Sequence, residues 1–249
     1  MCGIAGFMTT ESHSSRLESQ EFLTNMSDAI IHRGPDDGGS WSDSEAGIWL
    51  GHRRLAIVDL SPAGHQPMQS ASGRYMIVFN GEIYNHLTIR QALETTDQSP
   101  SWRGHSDTET LLAGFDAWGI QGMVERAIGM FAFAVWDRQN STLTLGRDRL
   151  GEKPLYYGWQ GQGNGAVFLF GSELKALRAH QAFESKIDRS ALCLQLRHNY
   201  IPAPYSIYKG ISKLLPGNLL TVSLQQREPK VWAYWSGAKI AQSGAANIF

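Results

Sequence analysis

Short apolar runs of strand length dominate the chain, and a few stretches carry helical spacing between them. The first run, Cys2 to Met8, is apolar and glycine-bearing and suits a buried strand. Ser15-Arg-Leu-Glu18 has the form of a capping box, after which Leu17, Leu23, Met26 and Ile30 recur near helical spacing until Gly34-Pro35 stops them. Gly47 to Asp59 reads as strand and Ser61-Pro-Ala-Gly64 as loop. Tyr75 to Phe79 is a β-rich run that the pattern ends at Asn80-Gly81, a strong turn dipeptide.

A second capping box, Ser106-Asp-Thr-Glu109, precedes Leu111, Leu112, Phe115 and Trp118, with Gly119 as the predicted stop. Met130 to Asp137 and Thr142 to Arg147 read as a hairpin across Arg138-Gln-Asn-Ser141. Val167 to Gly171 is a further strand, Glu173 to His180 is helical, and Asp188 caps a helix through Arg197. Leu214-Leu-Pro-Gly217 and Leu219 to Leu224 suggest a last hairpin. From Ser236 to Phe249 the composition turns small, polar and weakly patterned, as in a linker or frayed tail. Strands outnumber helices and cluster, which predicts an α+β fold with mainly antiparallel sheets.

Composition narrows the function classes. Twenty-two basic and 23 acidic residues nearly cancel in 249, and no Lys/Arg cluster appears, arguing against nucleic acid or an anionic membrane surface as partner. No apolar run is long enough to span a membrane. Two cysteines, Cys2 and Cys193, give neither a disulfide framework nor a metal-type spacing. The first residues lack a basic stretch followed by an apolar run, so no signal peptide and a cytoplasmic location are expected. Cys193 lies among Leu192, Leu194 and Leu196, which favours core packing.

Cys2 holds the position with most chemical potential. If Met1 is trimmed, Cys2 becomes the first residue, and its own α-amine, titrating near ~8, can act as base for its thiol. Position alone is weak, since a small buried cysteine is commonly inert. The candidate partners are equally double-edged. Asn80-Gly81 supplies either a plain turn or two donors for an oxyanion. Arg54 is a surface arginine or a fork for a carboxylate, and strand geometry turns neighbouring Arg53 the other way. Asp107 is favourable at a helix N-terminus with or without a ligand, and Arg33 suits a helix C-terminus. His32 and His52 read as structural.

Seven blocks, in order over residues 1 to 235, change this balance: Met1-Cys-Gly-Ile-Ala-Gly6, His32-Arg-Gly-Pro-Asp36, His52-Arg-Arg-Leu-Ala-Ile-Val-Asp59, Asn80-Gly-Glu-Ile-Tyr-Asn-His86, Ser106-Asp-Thr-Glu109, Gly129-Met-Phe-Ala-Phe133 and Gly146-Arg-Asp-Arg-Leu-Gly151. As a set they resemble the class II glutamine amidotransferase domain, with the second and fourth blocks similar to glutamine-hydrolysing asparagine synthetase. The resemblance implies a four-layer αββα sandwich of the N-terminal nucleophile hydrolase type. It implies Cys2 as nucleophile, and Asn80 and Gly81 as the oxyanion hole. It places Arg54 on the glutamine α-carboxylate, Leu55, Ala56, Ile57 and Val58 as a wall, Glu82 beside the substrate and Asp107 on the α-ammonium. Arg33 is implied near the nucleophile, helping to close the site.

The implied reaction is hydrolysis of L-glutamine to glutamate and ammonia through a γ-glutamyl thioester, with no metal or organic cofactor. In the resembled family the ammonia passes to a synthetase domain that uses ATP and Mg and carries a Ser-Gly-Gly-x-Asp-Ser loop. That loop does not occur in this sequence. The expectation is therefore a glutaminase domain at 1–235 and, at 236–249, a linker toward a synthetase domain in cis, the sequence being part of a longer protein. A homodimer is left open, as is the ammonia acceptor. Two rival readings stay open: another amide-cleaving N-terminal nucleophile hydrolase, and an amidotransferase-like module that binds without catalysis.

Overall fold

The two-residue period of the strands decides the architecture. In the computed structural model, which describes residues 1–9, 16–57, 59–96 and 100–246, twelve strands form two six-stranded sheets. They are β1 Gly3–Thr9, β2 Asp37–Asp43, β3 Ile48–Arg54, β4 Met68–Gln69, β5 Tyr75–Ile83, β6 Gly129–Asp137, β7 Thr142–Arg147, β8 Tyr156–Gln160, β9 Val167–Gly171, β10 Ser212–Lys213, β11 Asn218–Val222 and β12 Lys230–Ala233. The helices are α1 Arg16–Asp28, α2 His86–Thr95, α3 Asp107–Arg126, α4 Leu174–Arg178, α5 Arg189–His198 and α6 Gly237–Ala246. One sheet runs β10-β8-β9-β1-β3-β2 and the other β12-β11-β7-β6-β5-β4, every strand pair antiparallel.

Alternate side chains feed different cores. Ile4 and Met8 of β1, Leu50 of β3, Val78 of β5 and Ala134 of β6 meet between the sheets. Ala5, Phe7 and Trp49 instead pack under α1 and α4, with Leu23, Met26 and Leu177. Ile77, Phe79, Phe131 and Phe133 pack under α2 and α3, with Leu93, Leu111 and Phe115. Three apolar layers between four structural ones give the expected αββα sandwich. Each fully buried Leu or Phe contributes roughly 1.5–3 kcal/mol, so the layering is strongly specified.

Several expectations change. β5 does not turn at Asn80-Gly81 but runs through it to Ile83. The strand expected over Gly47–Asp59 stops at Arg54. β10 pairs with β8, and the last hairpin is β11 with β12, so Leu214 and Leu219–Leu224 do not pair together. Gly119 does break its helix, at φ +72°, but a second helical stretch follows directly to Arg126. The segment from Ser236, read as linker, is helical over Gly237–Ala246. Ser106 and Asp188 cap their helices as expected, while Ser15 of the first capping box lies outside the described residues. Cys193 is exposed rather than packed, because α5 buries little besides Ala191 and leaves Leu196 76% exposed.

Candidate active site

The even-numbered face of β1 carries Cys2 just ahead of Ile4, and the same parity in β3 carries His52 and Arg54 beside Leu50. In β5 it carries Asn80 beyond Met76 and Val78. Strand pleat alone therefore sends all four side chains into the gap between the sheets. At the end of that gap opens a cleft lined by Cys2, Arg54, Leu55, Asn80, Gly81, Glu82 and Asp107 among others.

Cys2 is partly buried against the loop after β3: its Sγ lies 3.6 Å from Leu55 O and accepts from Leu55 N–H at 3.4 Å. Burial pushes the thiol above its ordinary value, outweighing the backbone contact at Leu55 and the charges of the N-terminus and Arg54, while Asp107 pushes it further up. The thiol therefore holds its proton at neutral pH and needs a base to act as nucleophile. Met1 precedes it and also lines the cleft, with Lys153 Nζ 3.2 Å from its Sδ.

The open edge of β5 provides the donors. β4 covers β5 only at Met76 and Ile77. Ser70 N–H bonds Tyr75 O on the β4 side, and Arg138 N–H bonds Arg74 O on the β6 side, so odd residues of β5 present their backbone to the β4 side. Past the end of β4, side chains replace the missing strand. Gln66 Oε1 accepts from Phe79 N–H at 2.6 Å, His52 Nε2 donates to Phe79 O at 3.0 Å, and Asp107 Oδ2 accepts from Ile83 N–H at 2.8 Å. Gly81 lies between, and no described residue takes its N–H. A side chain there is impossible without displacement, since a Cβ would stand 2.3 Å from Met130 O. Asn80 Nδ2 is likewise buried with no partner among the described residues. Two unsatisfied amide donors thus border the cleft that holds the thiol.

Arg54 sits in the wall, its guanidinium donating to Ser61 O at 3.2 Å and to Asp59 O. Asp59 is itself held by Ser61 and by His105 N–H, and these bonds keep its carboxyl below the usual range despite desolvation. Asp107 begins α3, whose first turn is fixed by Ser106 Oγ accepting from Glu109 N–H at 3.1 Å. Burial raises the Asp107 carboxyl above the ordinary range, against the Ile83 and Thr108 backbone bonds. A buried carboxylate and a buried guanidinium in one cleft suit a zwitterion.

Other expectations shift. Leu55 and Ile57 line the cleft, but Ala56 does not; its N–H is tied to Asp36 Oδ2 at 2.9 Å. Val58 lies outside the described residues. Arg33 does not close the cleft. It lies behind the nucleophile, where Nε donates to Cys2 O at 3.0 Å and Nη1 to Glu173 Oε1 at 2.9 Å. His32 and Lys175 complete that cluster, and hydrogen bonds from Arg33, Lys175 and His32 hold Glu173 below the usual carboxylate range against desolvation. Gln66, Lys153 and Glu173 were not foreseen, since no pattern in the sequence marks them. Among the described residues, no group of three or more His, Cys, Asp or Glu side chains is arranged to hold a metal, and no helix is long and apolar enough to cross a membrane.

Two stacked antiparallel sheets between helical layers, with a thiol at the head of a central strand and amide donors on the facing sheet, define the N-terminal nucleophile hydrolase class. The sequence makes the assignment narrower: residues 1–235 match the glutamine amidotransferase domain family, and the chain belongs to it. Among curated relatives, "Asparagine synthetase [glutamine-hydrolyzing] 3" of Bacillus subtilis is 36% identical over 245 residues, covering 95% of this chain and 37% of that protein. "Putative asparagine synthetase [glutamine-hydrolyzing] 2" of Methanocaldococcus jannaschii is 36% identical over 253 residues, covering 94% and 46%. The chain thus spans less than half the length of these relatives. Among solved structures, glutamine phosphoribosylpyrophosphate amidotransferase from B. subtilis superposes with a TM-score of 0.65 at 16% identity, covering 95% of this chain and 50% of that one. At that identity the likeness is one of fold.

Proposed function

We propose that this domain hydrolyses L-glutamine to glutamate and ammonia through a γ-glutamyl thioester on Cys2. The observation that carries the reading is the pair of unclaimed donors, Asn80 Nδ2 and Gly81 N–H, on the cleft that holds the Cys2 thiol. Excision of Met1 frees the Cys2 α-amine, which takes the thiol proton. The thiolate attacks the side-chain amide carbon, and the oxyanion that forms is received by the two donors. Collapse expels ammonia after proton return from the Cys2 ammonium, leaving the thioester. Water, deprotonated by the same amine, then attacks it to give glutamate. Arg54 and Asp107 bind the α-carboxylate and α-ammonium, with Leu55, Ile57 and Glu82 around the side chain. This half-reaction uses no cofactor.

The names of the relatives support a further step: in a longer protein the ammonia is used by an ATP- and Mg-dependent synthetase domain in cis, with aspartate as acceptor. The test is a glutamate and ammonia assay on protein shown by intact mass to lack Met1. Turnover of glutamine that disappears in Cys2→Ala is the expected result. Turnover of acyl amides alone, or no alkylation of Cys2 by a reactive glutamine analogue, overturns the reading in favour of a different amide hydrolase or a silent binding module.

A further inference from the structure

His52 is almost wholly buried, at 1% exposure, and reads at first as a core histidine. Its location says more. It stands on β3 opposite Ile4, two residues from the nucleophile, in the sheet that carries Cys2. Its Nε2 crosses the gap to the other sheet and meets Phe79 O at 3.0 Å. A carbonyl only accepts, so Nε2 carries the proton and Nδ1 is bare; Nδ1 has no partner among the described residues. Burial holds the ring pKa at about 4, so the imidazole stays neutral and keeps this tautomer across any ordinary assay range.

Phe79 O belongs to the same planar unit as Asn80 N, because the peptide bond links them. Gln66 grips the preceding unit through Phe79 N–H at 2.6 Å, and its own Nε2 is held by Thr108 Oγ1 at 3.3 Å. The Asn80 amide nitrogen, by contrast, has no described partner. Its aim is inherited from the backbone on which it stands.

We propose that His52 is a positioning residue, a strut between the nucleophile strand and the oxyanion strand that sets where Asn80 Nδ2 and Gly81 N–H lie relative to Cys2, with Gln66 as the second clamp. The proposal rests on the oxyanion role given above to Asn80 and Gly81. His52 touches no reacting atom. Its effect belongs to the transition state, when charge develops on the oxygen those donors receive, and not to ground-state binding of glutamine.

The test combines steady-state kinetics with a spectroscopic readout of Asn80. His52→Leu should lower kcat ~10- to 100-fold with KM for glutamine within about twofold. His52→Gln, whose Nε2 can reach Phe79 O, should recover most of the loss. In an Asn80→Ala background the His52→Leu loss should be at least about threefold smaller than in the wild type, since one of the two donors it aims is gone. Should His52→Leu fail to fold, His52→Asn, too short to reach across, serves as the loss variant. An undiminished loss in the Asn80→Ala background, a rise in KM with kcat intact, or a folded His52→Gln no better than the loss variant overturns the proposal. The side-chain amide resonance of Asn80, in protein labelled with 15N-asparagine, separates the two readings. If the wild type does not hydrolyse glutamine, the proposed function falls. The strut then stands or falls on whether that resonance moves in the loss variant and stays in place in His52→Gln.

Discussion

Arg53 and Arg54 are consecutive in β3 and serve opposite faces of the sheet. Arg53 turns to α1, with Nε donating to Ser27 O at 3.3 Å and the guanidinium pairing with Asp28. Arg54 turns into the gap between the sheets and is anchored on the carbonyls of Asp59 and Ser61. Arg54→Lys should therefore raise KM for glutamine at least ~10-fold, because a point charge cannot replace a planar fork. Arg53→Lys should change KM by less than about twofold, as expected of a surface pair. Steady-state kinetics of both variants at saturating and limiting glutamine checks this, and equal effects would count against the cleft assignment.

Asn80→Ala should lower kcat by ~10²–10³ while leaving KM nearly unchanged, the signature of a donor used only in the transition state. Gly81→Ala should act differently. Its added methyl meets Met130 O and Phe131 Cα, so a loss of stability of about 1–3 kcal/mol should accompany the loss of turnover. Urea unfolding beside kinetics separates the two.

Glu173→Ala strips the partner of Arg33, whose side chain is 9% exposed and whose Nη2 already lacks one. The expected cost is about 1–3 kcal/mol from a buried, under-satisfied guanidinium. A fall in kcat should follow, because the same arginine grips Cys2 O. Glu173→Gln, which keeps an acceptor, should lose less of both, and thermal melts with glutaminase assays measure the pair.

Stability should decline as the solution is acidified from about pH 6.5 toward pH 4. His52 and His180 are both pushed down to about 4 by burial. Below 6.5 the unfolded chain takes up protons that the native state refuses, so the contribution is complete above 6.5 and drains away as pH falls through the folded value. For His52 it amounts to on the order of 3 kcal/mol. Urea midpoints at pH 7, 5.5 and 4.5 should fall in sequence, and the slope should flatten in His180→Phe.

Thiol labelling should be uneven. Cys193 is exposed, while burial raises the Cys2 thiol above its usual value in the chain that begins with Met1. A neutral alkylating reagent at pH 7 should modify Cys193 first, at least ~10-fold faster than Cys2. Peptide mass mapping over time reads the order, and faster labelling of Cys2 would contradict its burial.

Much of the site was legible because strand periodicity is a strict rule. Once β1, β3 and β5 exist, the parity of Cys2, Arg54 and Asn80 sends them to one gap, and the parity of Arg53 sends it elsewhere. Asn80-Gly81 shows the limit of local signals. The dipeptide favours a turn, yet tertiary pairing with β6 holds it in a strand, where the missing side chain of Gly81 lets the backbone at Met130 and Phe131 approach closely. Cys193 misled for the opposite reason: its leucine neighbours suggested a core, but among the described residues no element packs over most of α5, which buries Ala191 and leaves Cys193 exposed. Polar β2, Asp37–Asp43, gave no apolar alternation because it is an edge strand. Gln66 and Glu173 act through contacts 13 and 140 residues away along the chain, separations that no local pattern encodes.

The place of Cys2 at the head of an inner strand has a practical consequence for anyone handling the protein. Met1 already borders the cleft, so an affinity tag or fusion partner ahead of Cys2 has to leave through the space substrate needs, and it also occupies the amine assigned as base. Preparations tagged at the front should be inert until cleaved flush with Cys2. A tag joined after the exposed α6 leaves that doorway clear.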